Sequence, residues 1–258
     1  IYSARYLLKQ FPEFLARGNF LGFAPVSFQS YLQLADLKSS AASLDDVAEN
    51  YNKSLLYKAT QATRQHFLSS VGNYHIVNIF SHARADEANE QPMLFMQDSV
   101  IRLSELQYLE RPSTRLVVLS ACETTVGKNA TGEGIYSLAR GFAAAGIPSV
   151  AATIWKADEE AIYSISKLFH QHLSKGLPMD VALQKAKLGY MQTANREQLL
   201  PYYWANMVII GKVDPLVLEK ETSSRFWYVG ASSILVAFII LLLWSRKTKR
   251  TRPFTPRS

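Results

Sequence analysis

Residues Arg115 to Gly127 read R-L-V-V-L-S-A-C-E-T-T-V-G, and this stretch decides the fold. Leu116 to Leu119 is a short, β-branched apolar run of the kind that fills a strand buried on both faces. It stops at Ser120 and Ala121 and hands over to Cys122, the single cysteine of the chain. Cys122 is therefore placed where a parallel strand ends and a loop begins. In open α/β sheets that edge, outside the carboxyl ends of the strands, is where ligands bind.

A second run lies upstream, Tyr74-His75-Ile76-Val77-Asn78-Ile79-Phe80, and it ends at Ser81-His82-Ala83. Two neighbouring parallel strands would bring His82 and Cys122 to the same sheet edge. An imidazole beside a thiol is what cysteine–histidine hydrolysis needs, because the thiolate attacks while the histidine manages the proton.

The rest of the chain alternates strands with helices. Asn19 to Pro25 predicts a strand running into a turn. Apolar residues at 44, 47, 48, 51 and 55 predict a helix over Leu44 to Leu55, and Thr60 is expected to cap a second one through Leu68. Pro92 to Met96 reads as one arm of a hairpin returning at Val100-Ile101, after a polar surface loop from Asp86. Ser104 and Glu105 start a brief helix.

Beyond the cysteine, Gly134 to Ala145 predicts a helix, with Gly146 as its left-handed C-cap. Ser149 to Ile154 is the next buried strand. Asp158 caps a helix over Glu159 to Ser174, stopped by Gly176 and Pro178, and Met179 to Thr193 is another helix. Tyr203 to Ile210 is expected to be the last strand. Alternation of this kind argues an α/β fold with a mostly parallel sheet covered on both faces.

Composition narrows the function. The chain has 258 residues, 48% of them apolar, and a net charge of +7. Six of the basic residues, Arg246, Lys247, Lys249, Arg250, Arg252 and Arg257, follow position 244 with no acid among them. Without them the remainder is near neutral, which argues against nucleic acid as the main partner. One cysteine excludes an internal disulfide framework. No His/Cys/Asp/Glu grouping has metal-ligand spacing, and no Gly-Lys-Ser/Thr follows Gly127, so neither a metal nor a bound cofactor is expected.

Phe226 to Trp244 is 19 residues without a charge, about 28 Å of helix and close to the hydrocarbon thickness of a bilayer. Trp227, Tyr228 and Trp244 stand at its ends, where interfacial aromatics belong. A single transmembrane helix is expected here, after a linker at 214–225. The basic tail, 245–258, would be cytoplasmic by the positive-inside rule, with the globular part on the extracytoplasmic side given an upstream signal. Without such a signal the protein would be tail-anchored with its globular part in the cytosol.

Several stretches together resemble the CHAT family, caspase-like cysteine peptidases related to separases. They are A-T-Q-A-T-R-Q-H-F-L (59–68), Y-H-I-V-N-I-F-S-H-A (74–83), L-V-V-L-S-A-C-E-T-T-V-G (116–127), G-E-G-I-Y-S-L-A-R-G-F (132–142), G-I-P-S-V-A-A-T-I-W-K-A-D (146–158) and P-Y-Y-W-A-N-M-V-I-I-G (201–211). The resemblance covers nearly all of residues 1–213, as a domain lacking its usual start. It implies a caspase-like three-layer α/β sandwich, ahead of the single C-terminal transmembrane helix.

By the same resemblance His82 is the general base, Cys122 the nucleophile, and the backbone amides of Ala83 and Cys122 the oxyanion hole. Asp158, similar in place to a separase specificity carboxylate, and Glu123 are candidate substrate-binding acids. A helix cap accounts for Asp158 by itself, and the two roles are compatible. The family usually has His-Gly where this chain has His82-Ala83; the amide is kept, a glycine-only conformation is not. Expected partners are a protein or peptide substrate, upstream regulatory repeats or a sensor protein, and the membrane. The rival expectation is a catalytically silent CHAT-fold interaction module at the membrane.

Overall fold

The computed structural model describes residue 10 and residues 15–84, 92–109, 112–120, 122–123, 133–155 and 158–218. Six strands form the main sheet: β1 (Gly18–Ala24), β2 (Ser54–Lys58), β3 (Tyr74–Ile79), β7 (Leu116–Leu119), β9 (Ser149–Thr153) and β10 (Met207–Gly211). Their order is β10-β9-β7-β3-β1-β2, parallel throughout except for β10, which runs antiparallel to β9. A second sheet, in the order β6-β5-β4-β8, holds β4 (His82–Arg84), β5 (Met93–Phe95), β6 (Val100–Arg102) and β8 (Cys122–Glu123).

Alternation along each central strand splits the core in two. Phe20, Ile76, Phe80, Leu116 and Val118 face α1 (Ser40–Ala48), α4 (Glu159–Leu173) and α5 (Met179–Thr193). Leu21, Val77, Ile79, Val117 and Leu119 face α2 (Arg64–Ser70) and α3 (Glu133–Ala144). Each such side chain, taken fully out of water, contributes roughly 1.5–3 kcal/mol before entropy is counted. Helices thus cover both faces, and the expected α/β, mostly parallel architecture is present.

Three elements differ from their sequence reading. Leu44, Val47, Ala48 and Tyr51 are all buried as their spacing requires, yet α1 ends at Ala48. Lys53 takes a left-handed φ of 56°, and the chain reverses into edge strand β2, so Leu55 belongs to a strand. A helical spacing survives one turn past the helix it came from and hides that break. The second helix starts one turn late, because Thr63, in extended backbone, accepts from the amide of His66, while Thr60 lies in a 3₁₀ turn. Tyr203 and Trp204 are helical, in α6 (Pro201–Trp204), because Pro201 presets the first helical φ. The last strand starts only at Met207.

Other expectations hold in detail. Asp158 caps α4 by accepting from Ala161 N at 2.9 Å, and Gly146 follows α3 with φ of 93°. The hairpin β5–β6 forms, and the turn after it is a 3₁₀ helix whose start is capped by Glu105 accepting from Arg102 N. Among the described residues no helix is long and apolar enough to cross a membrane. The uncharged stretch 226–244, the basic tail and residues 85–91 lie outside the described residues.

Candidate active site

β3 and β7 are adjacent parallel strands in the centre of the main sheet, with Ile76 opposite Leu116 and Ile79 opposite Leu119. Each continues past its carboxyl end into the small sheet, β3 into β4 and β7 into β8. There His82 stands opposite Cys122, and Ala83 opposite Glu123, in parallel register. The backbone therefore brings the two sequence-predicted dyad residues together. Ser81 secures the crossover by donating its hydroxyl to the Phe95 carbonyl of β5.

His82 is only 4% exposed. Its Nε2 lies 2.8 Å from the carbonyl oxygen of Ala35. A carbonyl only accepts, so in the neutral imidazole Nε2 carries the hydrogen and Nδ1 keeps its lone pair. Nδ1 is buried and has no hydrogen-bond partner among the described residues. Phe28 packs against the imidazole, ring centres 5.0 Å apart. Burial pulls the proton affinity of His82 below that of an ordinary histidine; the Ala35 carbonyl and the negative charge of Glu159 push it partly back.

The loop that brings Ala35 and Phe28 is held at several points. Leu37 N donates to the Val26 carbonyl at 2.7 Å, and Val26 adopts φ of 64°, a costly conformation for a β-branched residue. Gln29 N donates to Gln97 O, and Tyr31 donates its hydroxyl to Asp98 O, tying the loop to the β5–β6 turn. Sequence reading missed Phe28 and Ala35. Ala35 acts through its carbonyl, which no residue type advertises, and Phe28 sits in a loop without periodicity.

Ala83 is not among the residues with left-handed φ, so the strand conformation here is one any residue adopts and asks for no glycine. Asp158 spends its carboxylate on the helix cap, and its charge reaches Tyr190 and Tyr203. Tyr190 is raised first by burial and then by Asp158 and Glu160, Tyr203 first by its hydrogen bond to Glu197. The acid whose charge reaches His82 is instead the next residue, Glu159. Of the remaining histidines, His170 is fully buried in the core, far along α4 from this edge.

Comparison with known proteins agrees with this architecture. Two solved structures align with 80% of the chain at a TM-score of 0.54: the Arg-specific cysteine proteinase gingipain R, at 10% identity, and the complex of Porphyromonas gingivalis RgpB pro- and mature domains, at 11%. The chain spans about half the length of each, 50% and 51%. Such a likeness establishes a shared fold and no more. Pro-sf-caspase-1 aligns at 0.47 and 12% identity, over 80% of this chain and 92% of its own, a score too low to bear on the fold. No curated protein matches the sequence. The CHAT domain model matches residues 9–212, which takes in both sheets and the whole of the His82 edge, and the chain belongs to the CHAT domain family.

Proposed function

We propose that this protein is a membrane-anchored cysteine endopeptidase of caspase-like type. The observation that carries the reading is the register pair His82–Cys122 at the carboxyl edge of the central strands, with Nδ1 of the neutral His82 ring left as the acceptor and without a hydrogen-bond partner among the described residues. Cross-strand partners share one face of a ladder. The Cys122 thiol passes its proton to Nδ1 of His82, and the thiolate attacks the scissile carbonyl carbon. The amides of Ala83 and Cys122 take up the charge on the oxygen, a contribution that elsewhere is worth roughly a hundred- to a thousandfold per donor. Nδ1 returns the proton to the departing amine, leaving an acyl-enzyme. Water, deprotonated by Nδ1, then releases the acid and restores the thiol.

Gingipain R is named as Arg-specific. For this chain the corresponding reading is a substrate with a cationic residue before the scissile bond, received by Asp158 or Glu123. The uncharged 226–244 segment holds the domain at a bilayer with the basic tail in the cytoplasm, and a region upstream of Ile1 or a sensor protein controls access to the site.

The test is cleavage of internally quenched peptides by the full chain, compared with Cys122→Ala and His82→Ala. Both variants are expected to lose at least about a thousandfold in kcat/KM. Cleavage that survives Cys122→Ala would overturn the dyad. Extraction with alkaline carbonate, before and after removal of 226–258, tests the anchor: the full chain stays with the membrane and the truncated chain leaves it.

A further inference from the structure

Helix α4 runs over the end of β3 in the direction opposite to the strand. His170 Nε2 meets Asn78 Oδ1 at 3.1 Å, and one strand step on, Tyr163 packs on Phe80 with ring centres 4.6 Å apart. One turn back along the helix, about 6 Å, brings Glu159, on the same face as Tyr163. Two residues forward from Phe80 the chain reaches His82, the first residue of β4. Glu159 therefore lies beyond Tyr163 towards the carboxyl end of β3, the edge at which the chain passes through Ser81 into β4 and His82.

Glu159 carries the mark of a carboxylate held for a purpose inside the protein. Its Oε1 is shut off from solvent and has no hydrogen-bond partner among the described residues. It is not needed to cap α4, because Asp158 does that. A desolvated anionic oxygen without a partner is expensive unless a positive charge forms beside it. At the same edge stands an imidazole whose Nδ1 is likewise buried and without a hydrogen-bond partner among the described residues.

We propose that Glu159 is the charge-balancing, positioning residue of His82: its carboxylate holds the imidazolium that forms when His82 accepts a proton at Nδ1. The placement of both groups at one sheet edge stands on the run of α4 over the end of β3, whereas the role in proton transfer rests on the dyad reading above. Other titratable groups around His82 fit this assignment. Asp36, beside the Ala35 carbonyl, is exposed, Arg84 follows on the same strand, and Cys122 and Glu123 lie on the paired strand. Among the described residues Glu159 is the charged group that raises the proton affinity of His82.

The experiment is histidine titration by NMR on the full chain with labelled imidazole carbons, the His82 resonance being the one lost in His82→Gln. Glu159→Gln, which keeps size and removes charge, is expected to lower the His82 midpoint by roughly half a pH unit or more. Glu159→Asp keeps the charge and retains most of the wild-type midpoint. Glu160→Gln, which discharges the exposed neighbour in the same helical turn, leaves the midpoint in place. An unmoved midpoint in Glu159→Gln, or an equal shift in Glu160→Gln, would overturn the assignment. Alkylation of Cys122 across pH separates this from the dyad itself. If His82 activates Cys122, Glu159→Gln moves both limbs of the rate profile to lower pH. If Cys122 reacts alike with and without His82, the dyad reading fails while the midpoint shift still decides the role of Glu159.

Discussion

His82 donates from Nε2 to the carbonyl oxygen of Ala35 across 2.8 Å, and that bond decides which imidazole nitrogen is left to accept a proton. The acceptor belongs to the backbone, so its position depends on the whole 25–37 loop. Phe28, against the imidazole face, is the side chain that couples the loop to the ring. Phe28→Ala is expected to slow Cys122 acylation roughly ten- to hundredfold through a loosened imidazole. Melting temperature should change little, since Phe28 is only half-buried. A large loss of stability with unchanged rate per folded molecule would contradict this role.

A second histidine governs acid stability. His170 is buried between Tyr51 and Asn78, its Nδ1 accepting from the Tyr51 hydroxyl at 2.7 Å and its Nε2 donating to Asn78. Burial pushes its pKa down to about 3. An unfolded histidine titrates near 6.5, so below that pH the unfolded chain takes up a proton that the folded chain refuses. The stability present above about pH 6.5 is lost as pH falls towards 3, at roughly 1.4 kcal/mol per pH unit. Urea unfolding at pH 7, 5 and 4 is expected to show this slope in the wild type and a shallower one in His170→Gln. Parallel curves would count against it.

How far the sequence could be read follows from what each feature depends on. Runs such as Leu116–Leu119 and Ser149–Thr153 announce themselves, because strands buried on both faces must be apolar without interruption. His82 and Cys122 were legible because each closes such a run. Edge strand β2 was not, since its half-buried residues extend a helical spacing already begun at Leu44. The Tyr51–His170–Asn78 network was equally hidden: its members lie up to 119 residues apart, and only packing of α4 on β3 joins them. Glu159 escaped for a related reason. Sequence offered Asp158 both as a helix cap and as a pocket acid, the structure shows the cap, and the neighbouring Glu159 was not singled out.

Asp158 allows the two readings of that acid to be separated. Asp158→Ala removes the cap and is expected to cost about 1 kcal/mol, whereas Asp158→Asn, also a good cap, costs little. Thermal unfolding checks both. If Asp158 also receives a cationic substrate residue, Asp158→Asn raises KM for Arg or Lys peptides alone while stability stays near wild type.

Gly211 closes the antiparallel edge of the main sheet with φ of 111°, and a Cβ there would lie 2.1 Å from the Pro148 carbonyl oxygen. Gly211→Ala is expected to destabilise the domain by roughly 2–4 kcal/mol, through strain and a backbone clash together. A variant that melts like the wild type would mean β10 is not held against β9 in this way.

The central claim is that Cys122 is a nucleophile made reactive by His82. Intact-mass labelling with peptidyl electrophiles bearing Arg, Leu or Asp in the first position tests it on the wild type, Cys122→Ala and His82→Ala. One adduct on the wild type, fastest with Arg and absent from both variants, is the expected result. Labelling of His82→Ala at the wild-type rate would contradict it, because the thiol would then be reactive without its base.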